Sequence, residues 1–141
     1  MPIYQGQTLS FRSDIVQGGQ NLSSNTLKMA LYTAYATLSQ DTTAYTTDNE
    51  VVGTGYTAGG NTITGVTITT DSATNTVYIN FNNVAWPGAS FTARGALIYN
   101  STQSNKSIAV LDFGSDKLFT ATNNTVTMPV NSASTALLRF V

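Results

Sequence analysis

Two pairs of carboxylates are spaced closely enough in the sequence to do chemistry together. Asp48 and Glu50 lie in the string TTDNEVV, and Asp112 and Asp116 lie in LDFGSDK. Two carboxyl groups are the minimum that glycoside hydrolysis needs, since one serves as acid and the other as base or nucleophile. All four acids lie next to turn residues, where a solvated or turn-capping carboxylate is the ordinary interpretation. A carboxylate-based glycosidase is therefore a hypothesis that the spacing allows without predicting it.

Other catalytic equipment is sparse. The chain contains neither histidine nor cysteine, which excludes imidazole bases, thiolate nucleophiles, disulfides and sulfur-ligated metals. Its three lysines, Lys28, Lys106 and Lys117, form no Ser–Lys signature. The string DNE lacks the spaced oxygens of a calcium loop, and GTGYTAGG lacks the strand-to-helix context of a nucleotide-binding loop. We therefore predict a protein that is not an enzyme and that has no cofactor and no metal site.

Two charges lie within alternating apolar segments. Arg94 is in FTARGALIYN and Asp112 is in SIAVLDF, and a buried charge is costly unless it is paired or functional. If these segments form an antiparallel hairpin around STQSN, one register places Tyr99 opposite Ser107 and Arg94 opposite Asp112. We predict a structural ion pair whose main effect is on register, because a slip of one residue leaves both charges unpaired.

The composition favours an all-β protein that is poor in charge. The chain has 141 residues, is rich in Thr, Ser and Asn, and carries six basic and seven acidic residues. Thr favours strands, and Ser and Asn favour turns. The basic residues do not cluster, so we expect no nucleic-acid partner. No apolar run reaches the roughly 18–20 residues of a membrane span, and the first residues do not resemble a signal peptide.

Short alternating segments follow one another from Leu27 onward and are separated by turn sequences such as DSATN and TNN. Seven or eight such segments predict an antiparallel β-sandwich or jelly roll. We assign residues 27–141 to this single β-sandwich domain.

Residues 1–26 differ from the rest, because they are polar and carry only isolated apolar side chains. We predict an extended N-terminal docking arm, with an N-terminal strand and loop as the alternative. The predicted contact residues of the arm are Tyr4, Leu9, Phe11, Ile15 and Val16.

A long segment between Ser39 and Asn61 has almost no alternation and contains several glycines. Loops of this length in compact domains are usually functional or docked on a partner. We predict contacts through Tyr45, Val51, Val52 and Tyr56.

Four strings of the sequence resemble a known class of proteins: LKMALYT, TTAYTTDNEVVGTGYTAGG, FTARGALIYN and AVLDFGSDK. They are similar to small virion structural proteins of tailed bacteriophages, most of all to those that decorate or cement the capsid. The resemblance implies a compact β-fold that forms a homo-oligomer, a dimer or trimer, and clamps neighbouring subunits of the major capsid protein. It also implies synthesis in the host bacterial cytoplasm and a final place on the capsid exterior, with no nucleic acid or membrane as partner.

A second hypothesis is a fibre or head-appendage module that binds host carbohydrate. Seven Tyr, six Phe and Trp86 in NVAWPGASF could supply rings on which sugars stack. The same string is equally typical of a core tryptophan before a Pro-Gly turn. The two hypotheses differ in copy number, since a cement protein covers the head and an adhesin is present in few copies.

Overall fold

The computed structural model describes residues 3–141, and these are mostly β-structure with one α-helix. The elements in chain order are β1 (Gly6–Gln7), α1 (Leu9–Gln17), β2 (Leu27–Tyr32), β3 (Asn61–Thr62), β4 (Thr67–Asp71), β5 (Thr76–Asn80), β6 (Val84–Ala85), β7 (Phe91–Asn100), β8 (Lys106–Phe119), β9 (Thr125–Val126) and β10 (Leu138–Phe140). The ladders between these strands are antiparallel, so the prediction of an all-β, antiparallel chain is confirmed at this level. The described residues contain ten strands rather than seven or eight, because four are two-residue pairings too short to leave an alternating pattern.

The strands form three sheets. The largest has the order β1-β8-β7-β2-β3, the second has the order β10-β5-β4, and β6 pairs with β9 alone. β7 and β8 form the longest ladder, and they lie at the centre of the largest sheet with β2.

One apolar core is shared by all three sheets. Met29 and Ile98 enter it from the five-stranded sheet, Ile79 and Leu138 from the three-stranded sheet, and Val84 from the two-stranded sheet. All five side chains are buried. Because each sheet contributes one apolar face, none of them could keep that face from water alone.

The opposite face of the five-stranded sheet carries a second apolar cluster. Tyr32, Leu97 and Tyr99 project from the strands and meet Ala36 and Leu38 from the segment after β2. Residues 33–60, between β2 and β3, are called the covering loop below. Neighbouring residues of a strand point to opposite faces of the sheet. One face of β2 lies on the main core and the other lies under the covering loop, so nearly all of LKMALY is buried.

The β7–β8 hairpin begins in the predicted register and then departs from it. Tyr99 pairs with Ser107 as expected, but Ile98 pairs with Ala109 and Gly95 with Asp112. The predicted pairing of Arg94 with Asp112 as direct cross-strand neighbours is therefore wrong. A bulge at Ile108 causes the shift, since an extra residue in one strand displaces every later pair by one. Both Ile108 and Ala109 consequently reach the main core.

The extended arm is also wrong, because residues 9–17 form helix α1. The Thr8 side chain accepts a hydrogen bond from the N–H of Phe11 and caps the first turn. Gly18, with φ of 76°, ends the helix in a left-handed conformation that glycine adopts easily. Met1 and Pro2, the first residues of the predicted arm, lie outside the described residues. The rest of it folds on its own domain, where β1 pairs with β8.

Candidate functional site

A buried polar network fixes the N-terminal residues to β8. The Ser107 hydroxyl lies 2.8 Å from the Thr8 hydroxyl and 3.0 Å from the Ser10 hydroxyl, and it donates to the Thr42 carbonyl at 2.7 Å. Gln20 donates to the Ser107 carbonyl at 3.3 Å. Since these groups are bonded to one another, their burial does not leave polar atoms without partners. Residues 3–26 are thus part of the domain, and contacts with other molecules must come from what they leave exposed.

The five predicted contact residues of the N-terminal segment separate into two groups. Tyr4, Leu9 and Val16 are exposed by 63%, 48% and 87% of their surface. Phe11 is fully buried in the main core, and Ile15 packs against that core. Phe11 is therefore wrong as a contact residue, because the helix turns it inward.

The covering loop likewise directs most of its predicted contact residues to its own domain. The Val51 N–H donates to the Leu31 carbonyl at 2.9 Å, and the Val51 side chain is buried. Tyr45 stacks on Tyr99 with ring centroids 4.7 Å apart. Val51 is wrong as a contact residue, whereas Val52 is exposed by 95% of its surface.

Glu50 is the buried centre of a tyrosine cluster in the covering loop. Its Oε1 accepts from the Tyr45 hydroxyl at 2.7 Å, and its Oε2 accepts from the Tyr56 hydroxyl at 2.5 Å and from the Gly59 N–H at 2.8 Å. The Tyr99 hydroxyl donates to the Gly59 carbonyl at 2.6 Å. Three donors satisfy most of the accepting capacity of the carboxylate, which is the condition for keeping a charge inside a protein.

The cluster raises the pKa of its tyrosines. Burial, and next the nearby Glu50 charge, raise the pKa of Tyr99 to about 12. Burial and the hydrogen bond to Glu50 raise the pKa of Tyr45 and Tyr56 further. Burial also raises the pKa of Tyr32, whose hydroxyl donates to the Thr46 carbonyl at 2.6 Å. The phenols thus remain protonated donors over the whole neutral range, and the cluster holds the loop in place.

The carboxylate pair Asp48 and Glu50 is divided by this arrangement. Glu50 is occupied by its three donors, while Asp48 is exposed. A catalytic pair needs both carboxyl groups to face one substrate, and the Glu50 oxygens face the interior of the protein instead. Glu50 therefore has a structural role that Asp48 does not share.

Arg94 and Asp112 meet at an irregular part of β8. Arg94 Nε lies 3.5 Å from Asp112 Oδ1, with 35% and 29% of the side chains exposed. Gly95 pairs with Asp112 and Ala93 pairs with Lys117, so residues 113–116 bulge out opposite Arg94. We call residues 113–116 the β8 bulge. The ion pair lies at its base, where Asp112 Oδ1 also accepts from the Gly114 N–H at 2.8 Å.

Trp86 lies in the core and presents no face to solvent. Its ring centroid is 5.9 Å from that of Phe119 and 6.4 Å from that of Tyr56, and 1% of its surface is exposed. Its Nε1 has no hydrogen-bond partner among the described residues. Sugar stacking on Trp86 is therefore wrong.

Among the described residues, five large exposed apolar side chains were not predicted as contacts from the sequence: Tyr35, Ile68, Leu118, Val130 and Val141. Tyr35 is exposed by 74% of its surface and Leu118 by 60%. Tyr35 continues the apolar string of β2 past its end, and Leu118 alternates with buried Phe119, so neither position carries a local signal that distinguishes it from a core residue.

Within residues 3–141, no three Asp or Glu side chains come together in a group that could hold a metal ion. The helix in this part of the chain is too short and too polar to cross a membrane. Comparison of the chain with protein-family models, with curated proteins and with solved structures gives no match.

Proposed function

We propose that the chain is a non-enzymatic virion structural protein that binds the outer surface of a phage head and joins neighbouring major capsid subunits. The four strings quoted above carry the resemblance to capsid decoration proteins. The observation that supports contact with a partner is the exposure of large apolar side chains at Tyr4, Leu9, Val16 and Val52. On a surface with few charges, such side chains offer contact area whose burial is favourable.

The contact surface is formed before binding. The Tyr4 N–H donates to the Leu38 carbonyl and the Leu9 N–H to the Gln40 carbonyl, both at 2.8 Å. These bonds hold the two residues beside the covering loop, and we call Tyr4, Leu9 and Gln40 the Tyr4 patch. A surface already fixed by hydrogen bonds loses less conformational entropy on binding than a free arm would.

The sheets suit this role if the five-stranded and three-stranded sheets form the two layers of a sandwich or jelly roll. Their shared core supports that arrangement. Copies related by rotation could then form the dimer or trimer expected on a capsid symmetry axis, with major capsid protein below them.

The second candidate is a fibre or head-appendage module that binds host carbohydrate. Trp86 is excluded from such a site. A groove beside the β8 bulge, lined by polar and apolar side chains, is the observation that favours this candidate. It differs from a cement protein in copy number, because an appendage occurs at few places on the particle.

Rebinding to capsids tests the proposed function. Heads stripped of this chain by mild denaturant are mixed with purified chain, and the bound fraction is measured by sedimentation. We expect Leu9→Asp to weaken binding about tenfold or more, equivalent to about 1.4 kcal/mol, because a charge would be buried at the contact. Val141→Asp is the matched control, since Val141 is also exposed, by 91%, but lies outside the predicted contacts. Equal binding by both variants, or failure of the unmodified chain to rebind, would contradict the proposal.

A further inference from the structure

A groove of about 620 Å³ runs along β8 beside the bulge. Its apolar lining includes Leu111, Phe113 and Leu137, and its polar lining includes Asp112 and Asp116. Sites for small ligands commonly have volumes of about 300–1,000 Å³ and combine an apolar floor with a few polar groups. The groove has the size and the mixed lining of such a site.

Several exposed polar side chains along this groove have no hydrogen-bond partner among residues 3–141. The side chains of Ser115, Asp116 and Asn123 line it and make no hydrogen bond to a described residue. Asp112 uses Oδ1 for its bonds to Arg94 and Gly114, which leaves Oδ2 without a described partner. The unpartnered carboxylate, amide and hydroxyl groups are those that bind the hydroxyl groups of a ligand.

The charges of the groove balance. It is lined by two carboxylates, Asp112 and Asp116, and by one cation, Lys117, and Asp112 also contacts Arg94, which lines the neighbouring groove. Lys117 donates to the Thr125 carbonyl at 2.6 Å and is thereby held in place. With no net charge, the groove neither attracts an anion nor offers a multivalent cation the carboxylates it needs. A neutral ligand rich in hydroxyl groups fits this balance.

A second, smaller groove of about 340 Å³ meets the first one at Asp116, which lines both. Tyr35 lines the second groove together with Arg94, and it is among the most exposed aromatic side chains of the protein. Phe113, in the first groove, is half-buried against the core, and Lys117 Nζ lies over its ring at 6.0 Å from the centroid. Aromatic rings with a free face pack against the apolar face of a flat ligand, while neighbouring polar groups bind its edge. The two grooves share Asp116, so one ligand that contacts this side chain reaches both.

An extended peptide that adds to the edge of β8 is the main alternative occupant. Strand addition depends on free backbone donors along the edge. The N–H of Asp112 already donates to Gln5 Oε1 at 3.0 Å, and the N–H of Gly114 donates to Asp112 Oδ1. Because side chains occupy these donors, the edge is blocked at the point where a peptide would pair.

We propose that the surface from the groove at Phe113 to Tyr35, joined at Asp116, binds a neutral oligosaccharide. Hydroxyl groups of the sugar bond to Asp112 Oδ2, Asp116 and Asn123, and the exposed ring of Tyr35 packs against its apolar face. This inference goes beyond the proposed capsid role and does not depend on it, because it concerns the isolated chain.

The test is a nuclear magnetic resonance titration of the full-length, isotope-labelled chain. The probes are neutral oligosaccharides of glucose, galactose, mannose and N-acetylglucosamine, with the acidic sialyllactose as a charged comparison. We expect at least one neutral sugar to cause saturable shifts at Gly114, Ser115 and Asn123, with a Kd of about 10 mM or below. Shifts confined to the Tyr4 patch, shifts with sialyllactose alone, or no shift with any probe would overturn the proposal.

Two variants and one control assign the site. Asp116→Asn and Tyr35→Ala should each weaken binding of that sugar about tenfold. Asp41→Asn removes the same charge from an exposed carboxylate that lines neither groove, and it should leave the Kd unchanged. Equal weakening in all three variants would contradict the assignment. Saturable shifts at the same residues with an uncharged, threonine-rich peptide and not with any sugar would instead identify a strand-docking edge.

Discussion

The Tyr56 hydroxyl donates to Glu50 Oε2 at 2.5 Å and accepts from the Leu31 N–H at 2.9 Å. One hydroxyl thereby links a carboxylate of the covering loop to the backbone of β2. The loop pairs with the same part of β2 through a bridge between Tyr32 and Glu50. The order of the covering loop therefore depends on Glu50.

Replacement of Glu50 should destabilise the protein strongly. Glu50→Ala leaves the Tyr45 and Tyr56 hydroxyls and the Gly59 N–H without their acceptor. Unsatisfied buried groups cost about 1–3 kcal/mol, so we expect the free energy of unfolding in urea to fall by about 2–3 kcal/mol. Asp48→Ala, two residues away and exposed, should change it by less than about 0.5 kcal/mol. A Glu50 variant as stable as the Asp48 variant would show that the cluster does not hold the loop.

Stability should fall at alkaline pH because of the same cluster. An unperturbed tyrosine has a pKa of about 10, whereas burial raises the pKa of Tyr99 to about 12. The unfolded chain therefore releases this proton first, and the stabilisation is complete below about pH 10 and lost as the pH rises through about 12. The free energy of unfolding should drop by about 1.4 kcal/mol per pH unit for each such tyrosine.

The variant Tyr99→Phe isolates one contribution to that slope. It should make the decline above about pH 10 shallower, because its ring has no proton to release. Tyr35→Phe, which removes a hydroxyl from an exposed ring, is the control. Unfolding curves that decline equally in both variants, or no decline in the unmodified chain, would refute this assignment.

The sequence contains signals for helix α1, and there is a physical reason why it was interpreted as an extended arm instead. Thr8 and Gly18 are typical helix caps, and Phe11 and Ile15 share one helical face. The other two apolar residues of the helix, Leu9 and Val16, are exposed and fall off that face, so the periodic signal is weak and the segment resembles a solvated tail. Its stability comes from Phe11 in the core, and a contact between distant parts of the chain is not visible in a local pattern.

The anchoring role of Phe11 makes a direct prediction. Phe11→Ala should lower the free energy of unfolding by about 3–5 kcal/mol, as expected for an aromatic side chain removed from a core. Val16→Ala, on the same helix but 87% exposed, should change it by less than about 0.5 kcal/mol. Calorimetry or urea unfolding would measure the free energy of unfolding of both variants. Similar small effects would mean that residues 3–26 do not belong to the folded unit.

Arg94 and Asp112 should contribute unequally to the free energy of unfolding. Their ion pair is partly exposed, and a double-mutant cycle with Arg94→Ala and Asp112→Ala should give a coupling energy below about 1 kcal/mol. Asp112→Ala should cost more than Arg94→Ala, because it also removes the acceptor for the Gly114 N–H. A cost for Arg94→Ala equal to or above that for Asp112→Ala would contradict this account of the bulge.

The register of the β7–β8 hairpin could be predicted from the sequence only in part. The predicted register correctly places Tyr99 opposite Ser107, and Arg94 and Asp112 form an ion pair although they are not direct cross-strand neighbours. The bulge at Ile108 cannot be inferred, since an alternating string is compatible with one extra residue when both faces of a sheet are buried. For the same reason the groove beside residues 113–116, which depends on a second irregularity, has no sequence signature.

The sequence shows which of the predicted contact residues are apolar, but it does not show which of them face solvent and which face the core. Val51 and Val52 are neighbours of one residue type, yet the first is buried and the second exposed. The loop pairs with β2 at Val51, so Val51 faces the core and its neighbour Val52 points the other way.

The measurement that tests the central claim most directly is the number of copies of this chain per major capsid subunit in purified particles. Quantitative mass spectrometry would determine it, together with the stability of the heads as mild denaturant removes the chain. The proposed capsid role predicts a ratio near one and heads that weaken as the chain is lost. A few copies per particle, with head stability unchanged, would contradict it and favour an appendage module.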